Sequence, residues 1–196
     1  MATNLSDLYK YVMPQLPRCP EPLVLEIVRD IAIDFCHETQ LWQVDLDSQN
    51  IVQDEDTYEL DGEQPSNTEI DAVVKVEVDD NEQNPETQYT VSKDLEVVFE
   101  TAPGQDITAG LDVRVALKPS LSATTVDTQL FKDWYRTWAF GVMGTLMVMP
   151  GKAWSNPALG TEYLAKYRDG VIKGAVENTR GKWNKPLRAR PPHRFA

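Results

Sequence analysis

Cysteine and histidine are scarce, two of each in 196 residues. Cys19 and Cys36 can make neither a disulfide framework nor a structural zinc site, which takes four ligands at close spacing, so free thiols are expected. Long apolar runs are missing too. The longest, Trp138 to Pro150, is interrupted by Gly141, Gly144 and Thr145 and falls short of the roughly 20 residues a membrane span needs, so no membrane partner is expected. The stretch opening Met1-Ala2-Thr3-Asn4 lacks the basic and apolar regions of a secretory leader, and synthesis and retention in the cytosol are expected. Bases are few between Asp45 and Asp112, where only Lys75 and Lys93 oppose many carboxylates; acids are absent after Glu177, where Arg180, Lys182, Lys185, Arg188, Arg190 and Arg194 follow. The net charge of −12 would repel nucleic acid if it were spread evenly. Its segregation instead implies two separate surfaces, an acidic middle and a basic end.

A chain of this length forms one domain, or one domain with a large insertion, and buries about 70% of its unfolded surface. The stretch from Asp127 to Arg180 organises it. Leu130, Phe131, Trp134, Trp138, Val142 and Met149 recur at spacings of three, four and seven, the signature of one helix face. Pro150 and Gly151 stop that helix. Asn156 can cap a second one and Pro157 suits its first position. Leu159, Tyr163, Tyr167, Val171 and Ala175 continue the rhythm in this second helix, which can end at Gly181.

Towards the N-terminus, Asn4 or Ser6 can cap a short helix in which Leu5, Leu8, Tyr9 and Val12 share a face. After a rigid Pro17-to-Pro22 connection, Val24, Ile27, Val28, Ile31, Phe35 and Trp42 line a stronger one, with Leu23, Leu25 and Ile33 partly outside its stripe. That breadth implies burial on more than one side. From Gln43 the period changes to two: Val44 and Leu46; Tyr58 and Leu60; Ile70, Ala72, Val74, Val76 and Val78; Leu95, Val97 and Phe99; Leu111, Val113, Val115 and Leu117. Turn chemistry at Asp61-Gly62, Asp79-Asp80-Asn81 and Pro103-Gly104 separates the runs. The expected class is α+β: a bundle of about four helices (residues 1–42 and 120–181), an inserted acidic β domain (43–119) and an extended basic C-terminal tail (182–196). The β domain should hold five or six strands as an antiparallel meander or small sandwich.

The tail has Pro186, Pro191 and Pro192, no hydrophobic period, and isolated Trp183, Leu187 and Phe195 among its bases. It is suited to lie extended on another protein with side chains as anchors, a better fit than nucleic acid for so short a segment on an acidic molecule.

Catalytic chemistry is hard to place. Cys36 and His37 are adjacent, but neighbouring helical residues point about 100° apart, so a packed thiol and a solvated imidazole are expected. His193 in the tail reads as a polar contact. Asp54-Glu55-Asp56 and Asp79-Asp80 lack the ligand order and central glycine of an EF-hand and read as solvated turns. Gly151-Lys152 lacks the rest of a phosphate-binding loop, and no nucleophile elbow or metalloprotease helix pair occurs. Gly170 and Gly174 make room for a bulky neighbour such as Trp134 or Trp138, or for a close helix–helix contact. No enzyme activity, cofactor or metal is expected.

Pro20-Glu21-Pro22-Leu23-Val24-Leu25 with Ala32-Ile33-Asp34-Phe35-Cys36 and Trp42, the acidic β insertion, and the helical pair around Met149-Pro150-Gly151-Lys152-Ala153-Trp154-Ser155-Asn156-Pro157 together resemble the head-to-tail adaptor (connector) proteins of tailed bacteriophages. The likeness covers nearly the whole chain in element order and is most specific from Phe131 to Ala175. It implies a virion protein at the head–tail junction, made in the host cytoplasm. It further implies a homo-oligomeric ring, usually of twelve copies, bound to the portal protein above and to the tail or next neck component below. Genomic DNA would pass through the lumen without sequence-specific binding. The segment implied to dock on the portal contains Trp183, Lys185, Pro186, Arg188, Arg190, Arg194 and Phe195. The alternative is a carbohydrate-binding module or hydrolase that uses carboxylates of the β domain.

Overall fold

The computed structural model describes residues 2–60, 65–85, 87–93 and 95–180, with Arg180 by its backbone alone. The fold is α+β, with four α-helices and three antiparallel sheets among the described residues. The first element is a strand rather than a helix. β1 (Ala2–Asn4) pairs antiparallel with β10 (Thr125–Asp127), Thr3 opposite Val126. A run of single turns follows, α1 (Tyr9–Val12) between 3-10 turns at Leu5–Leu8 and Met13–Gln15. Asn4 stands at the cap position but its side chain makes no capping bond. What holds this segment is burial: Leu5, Leu8, Val12 and Leu16 are fully enclosed.

α2 (Glu21–Thr39) buries Val24, Val28, Ile31, Ala32, Phe35 and Cys36. Leu23, Leu25, Ile27 and Ile33 are half-buried, in keeping with the breadth of its apolar face. It ends where Gln40 turns left-handed (φ 50°) and its N–H donates to the Cys36 carbonyl at 2.8 Å, a C-terminal closure that needs a positive φ. Arg29 Nε donates to the Ala123 carbonyl at 2.8 Å and ties the helix to the turn before β10.

Among the described residues of 43–119 there are eight strands, not five or six, because several are only two or three residues long. In the larger sheet the order is β2 (Gln43–Asp45), β9 (Ile107–Pro119), β5 (Thr68–Val78), β6 (Asn81–Glu82), with β3 (Gln49–Ile51) on the far end of β9. The smaller sheet orders β4 (Thr57–Glu59), β8 (Glu96–Phe99) and β7 (Tyr89–Val91). On β9 the alternation holds: Leu111, Val113, Val115 and Leu117 are all buried. On β5 it fails at two places. Ile70 faces Leu117 while Ala72 faces the next residue, Ala116; Val73 faces Val115 while Lys75 faces Arg114. Asp71 and Val74 are therefore the extra residues of two bulges, and a bulge re-aims the side chain it carries. Val74, expected inside, is 38% exposed.

α3 (Thr128–Met147) starts where the Asp127 carboxylate accepts the N–H groups of Gln129 (2.8 Å) and Leu130 (2.9 Å). It stops before Met149, which was expected on its face. Asn156 closes the connection in both directions: its N–H donates to the Met147 carbonyl at 2.9 Å, and its Oδ1 accepts from the Leu159 N–H at 3.3 Å as α4 (Pro157–Arg180) begins. The expected stop at Gly181 and the turn at Asp61-Gly62 lie outside the described residues. Phe35 of α2 packs against Trp134 and Trp138 of α3, ring centres 5.1 and 5.8 Å away. One continuous buried cluster runs from these rings through Val115 and Leu117 to Tyr58, Val97 and Phe99 of the smaller sheet.

Candidate functional site

The helical face built by α2, α3 and α4 is held at close range. A Cβ on Gly144 would meet the Leu164 side chain at 2.8 Å and the Leu164 backbone nitrogen at 2.9 Å, so only glycine lets α3 and α4 approach this closely. Farther along, Phe140 stacks on Tyr163 with ring centres 5.6 Å apart, and the Lys166 ammonium lies over both rings while pairing with Glu162 at 2.6 Å. Gly170 makes room for Thr137, and Gly174 for Thr39, Leu41 and Phe35; the expected neighbours Trp134 and Trp138 are not the residues they accommodate. From α4, Tyr167 reaches α2, donating its hydroxyl to the Asp34 carboxylate at 2.6 Å. Burial, then that carboxylate, push the Tyr167 hydroxyl well above the ordinary range, so it remains a donor.

Beside this lock runs an open, mainly apolar groove of about 520 Å³ between α2 and α4, floored by Ile31, Leu164, Tyr167 and Val171. Asp34 and Glu38 edge it on the α2 side. Its lip is Ile172, 61% exposed, and one turn on Val176 is 40% exposed. Two large aliphatic side chains at i and i+4 beside an apolar groove make a surface that water covers poorly.

Where α2 meets the larger sheet there is a charged knot. The Asp71 side chain, turned by its bulge, is only 2% exposed and takes Lys118 Nζ at 3.0 Å and His37 Nδ1 at 2.9 Å. Burial alone would raise its carboxyl; the His37 and Lys118 hydrogen bonds outweigh that and hold it below the usual carboxylate range. His37 is 62% exposed yet partnered, whereas it was expected to be simply solvated. Cys36 is fully buried as expected, and burial followed by the Asp71 charge pushes its thiol far up. The thiol is enclosed in the core while the imidazole is engaged by Asp71, so the two do not form a nucleophile pair.

The acidic strands carry an open groove of about 830 Å³ around Tyr58, edged by Asp47, Glu55, Glu59 and Glu96. The Tyr58 hydroxyl is occupied: it accepts from the Val52 N–H at 3.1 Å and shares its one hydrogen between the carbonyls of Glu55 (3.1 Å) and Val52 (3.2 Å). Asp79 and Asp80 both have positive φ, as residues of the β5–β6 hairpin turn. Among the described residues no three His, Cys, Asp or Glu side chains converge as a metal site would need.

Trp183, Lys185, Pro186, Arg188, Arg190, Arg194 and Phe195, expected to bind a portal, lie outside the described residues, as does His193. The groove between α2 and α4 was not singled out from sequence. Its trace there is Ile172 and Val176, aliphatic residues off the Leu159–Ala175 stripe. Compared with models of known protein families and with curated proteins, the chain matches none.

Proposed function

We propose that the protein is a non-catalytic structural component of a tailed-phage virion, a head-to-tail adaptor. It assembles as a ring, twelve copies in the form the resemblance implies, between the portal protein and the tail or next neck component. On this reading the helices form a bundle, the acidic strands an inserted domain, and residues 182–196 an extended tail that docks on the portal through Trp183, Lys185, Pro186, Arg188, Arg190, Arg194 and Phe195. The observation that carries it is the apolar groove with Ile172 and Val176 exposed at its lip. A single-copy protein gains nothing from such a surface, whereas a heterologous contact repeated around an axis buries it in every copy. The close glycine packing of α3 on α4 suits a part that must keep its shape under load. Carboxylates facing the lumen would keep genomic DNA from adhering as it passes.

The test is to mix the full chain with its candidate portal and follow mass and shape by light scattering and electron microscopy. A ring on the portal is expected, and deleting residues 182–196 should abolish attachment while leaving the fold intact by circular dichroism. A chain that stays monomeric and ignores the portal refutes the proposal. The groove around Tyr58 favours a second reading, a carbohydrate-binding module or hydrolase. That reading requires Glu55→Gln or Glu59→Gln to remove sugar binding or turnover without altering assembly.

A further inference from the structure

A third recess lies where the C-terminal turns of α4 pass the start of α3 and the corner between α2 and β2. It holds about 250 Å³ and is more enclosed than the two grooves, with Trp42, Trp134, Asp127, Asp133 and Glu177 among its walls. Its frame is fixed: Gln43 Nε2 donates to the Gln40 carbonyl (3.0 Å) and to Asn178 Oδ1 on α4 (2.8 Å). Asp127 is engaged in capping α3, and Asp133 accepts from Gln129 Nε2 at 2.9 Å. No Lys or Arg lines the recess, and among the described residues no cation pairs with Glu177.

Three carboxylates and two indoles around one small space are the chemistry of a cation receptor, since an ammonium gains from indole faces as well as from carboxylates. The volume is below the roughly 300–1,000 Å³ of small-molecule sites and suits a single long side chain. Such a side chain is close at hand in the sequence. α4 ends at Arg180, three residues beyond Glu177, and the next bases are Lys182 and Lys185, in a segment without a single acid. Five residues of extended chain reach up to about 17 Å, enough to turn back past the end of α4. So short a tether also gives an effective concentration of roughly millimolar, favouring this occupant over a free cation or a second molecule.

We propose that the recess is an intramolecular dock for the chain's own basic C-terminal segment, with Lys182 or Lys185 inserting its ammonium between Trp42 and Trp134 beside Asp133 and Glu177. The dock stores the segment on its own body and shields it from indiscriminate acidic partners. It does so whether or not that segment later engages a portal.

Carbodiimide coupling of the full-length protein tests this, because it joins an amine to a carboxylate only where the two touch. The expected product is an amide between Lys182 or Lys185 and Asp133, a residue of α3 that no local helical contact can bring to the segment. Mass spectrometry of mixed 15N-labelled and unlabelled protein should find it within single chains. Its yield should fall at least fivefold in 0.5 M salt and in Glu177→Gln. Absence of the amide in the wild-type chain at low salt overturns the proposal. So does an amide found only between labelled and unlabelled chains, which would make the occupant a neighbouring copy, or a yield indifferent to salt and to Glu177→Gln.

Discussion

Replacing Asp71 with asparagine should cost the protein about 2 kcal/mol at neutral pH. The carboxylate is 2% exposed and bridges α2 to β9 through His37 and Lys118, so its removal leaves Lys118, itself 28% exposed, facing a neutral amide. Breaking a fully buried pair costs roughly 3–5 kcal/mol, but here His37 is 62% exposed and can rehydrate, and asparagine retains the shape and one acceptor, which brings the cost to about 2 kcal/mol. For a chain of this size that is a fall in melting temperature of about 4–8 °C. The pH dependence is the sharper test. Because the folded carboxyl is held below its unfolded value, near 3.9, its contribution is fully present above that pH and is lost as pH falls through the folded value. Urea unfolding of wild type and Asp71→Asn from pH 7 to pH 2 should therefore show a constant gap down to about pH 5 that closes towards pH 2. A gap below about 0.5 kcal/mol at pH 7, or one that does not change with pH, would show that the bulge and its ion pairs do not hold helix to sheet.

Three further outcomes follow from the helical face. Tyr167→Phe removes the 2.6 Å bond to Asp34 and should cost about 1–2 kcal/mol, read as a melting temperature lower by about 2–8 °C; no change would mean that α4 is placed by apolar packing alone. Gly144→Ala puts a methyl within 2.9 Å of the Leu164 backbone nitrogen, where no rotamer change can help, and should lower the urea midpoint by an amount equivalent to about 1–3 kcal/mol at unchanged slope. Ile172→Glu alters an exposed position and should leave stability within about 0.5 kcal/mol, yet weaken self-association at least tenfold by sedimentation velocity. Wild-type assembly in that variant would exclude the α2–α4 groove as the contact between copies.

The helical pair was legible because its determinants are local. Asp127, Asn156 and Pro157 each act within a few residues, and the three-four spacing of Leu130 to Val142 needs no knowledge of the partner surface. Strand β1 was not legible: Ala2–Asn4 carries no period, and it is a strand only because residues 125–127 lie beside it. The β5 bulges show a different limit. Period-two reading assigned Val74 inward, and one inserted residue at each of two places left Val74 outside and Asp71 turned in. Hence the His37–Asp71–Lys118 knot, whose members stand far apart in sequence, had no local trace. The recess between Trp42 and Trp134 was invisible for the same reason, although its two ingredients, an acidic body and a basic end, were plain in the charge distribution.

The division of the helical core across the chain also sets an order in time. The larger sheet draws on residues 43–119 alone and can close as soon as they have been made, but the α2 face, which also packs on β9 and the Leu5–Leu8 turn, is completed around Phe35 only when α3 and α4 arrive. At about 5–20 residues per second, the ribosome needs roughly 5–20 s to pass from the end of α2 to the end of α3. During that interval the α2 surface that α3 and α4 will cover has only β9 of a newly formed sheet and the Leu5–Leu8 turn beside it. Yield during overproduction should accordingly depend on translation speed and on available chaperone more than on the stability of the finished fold.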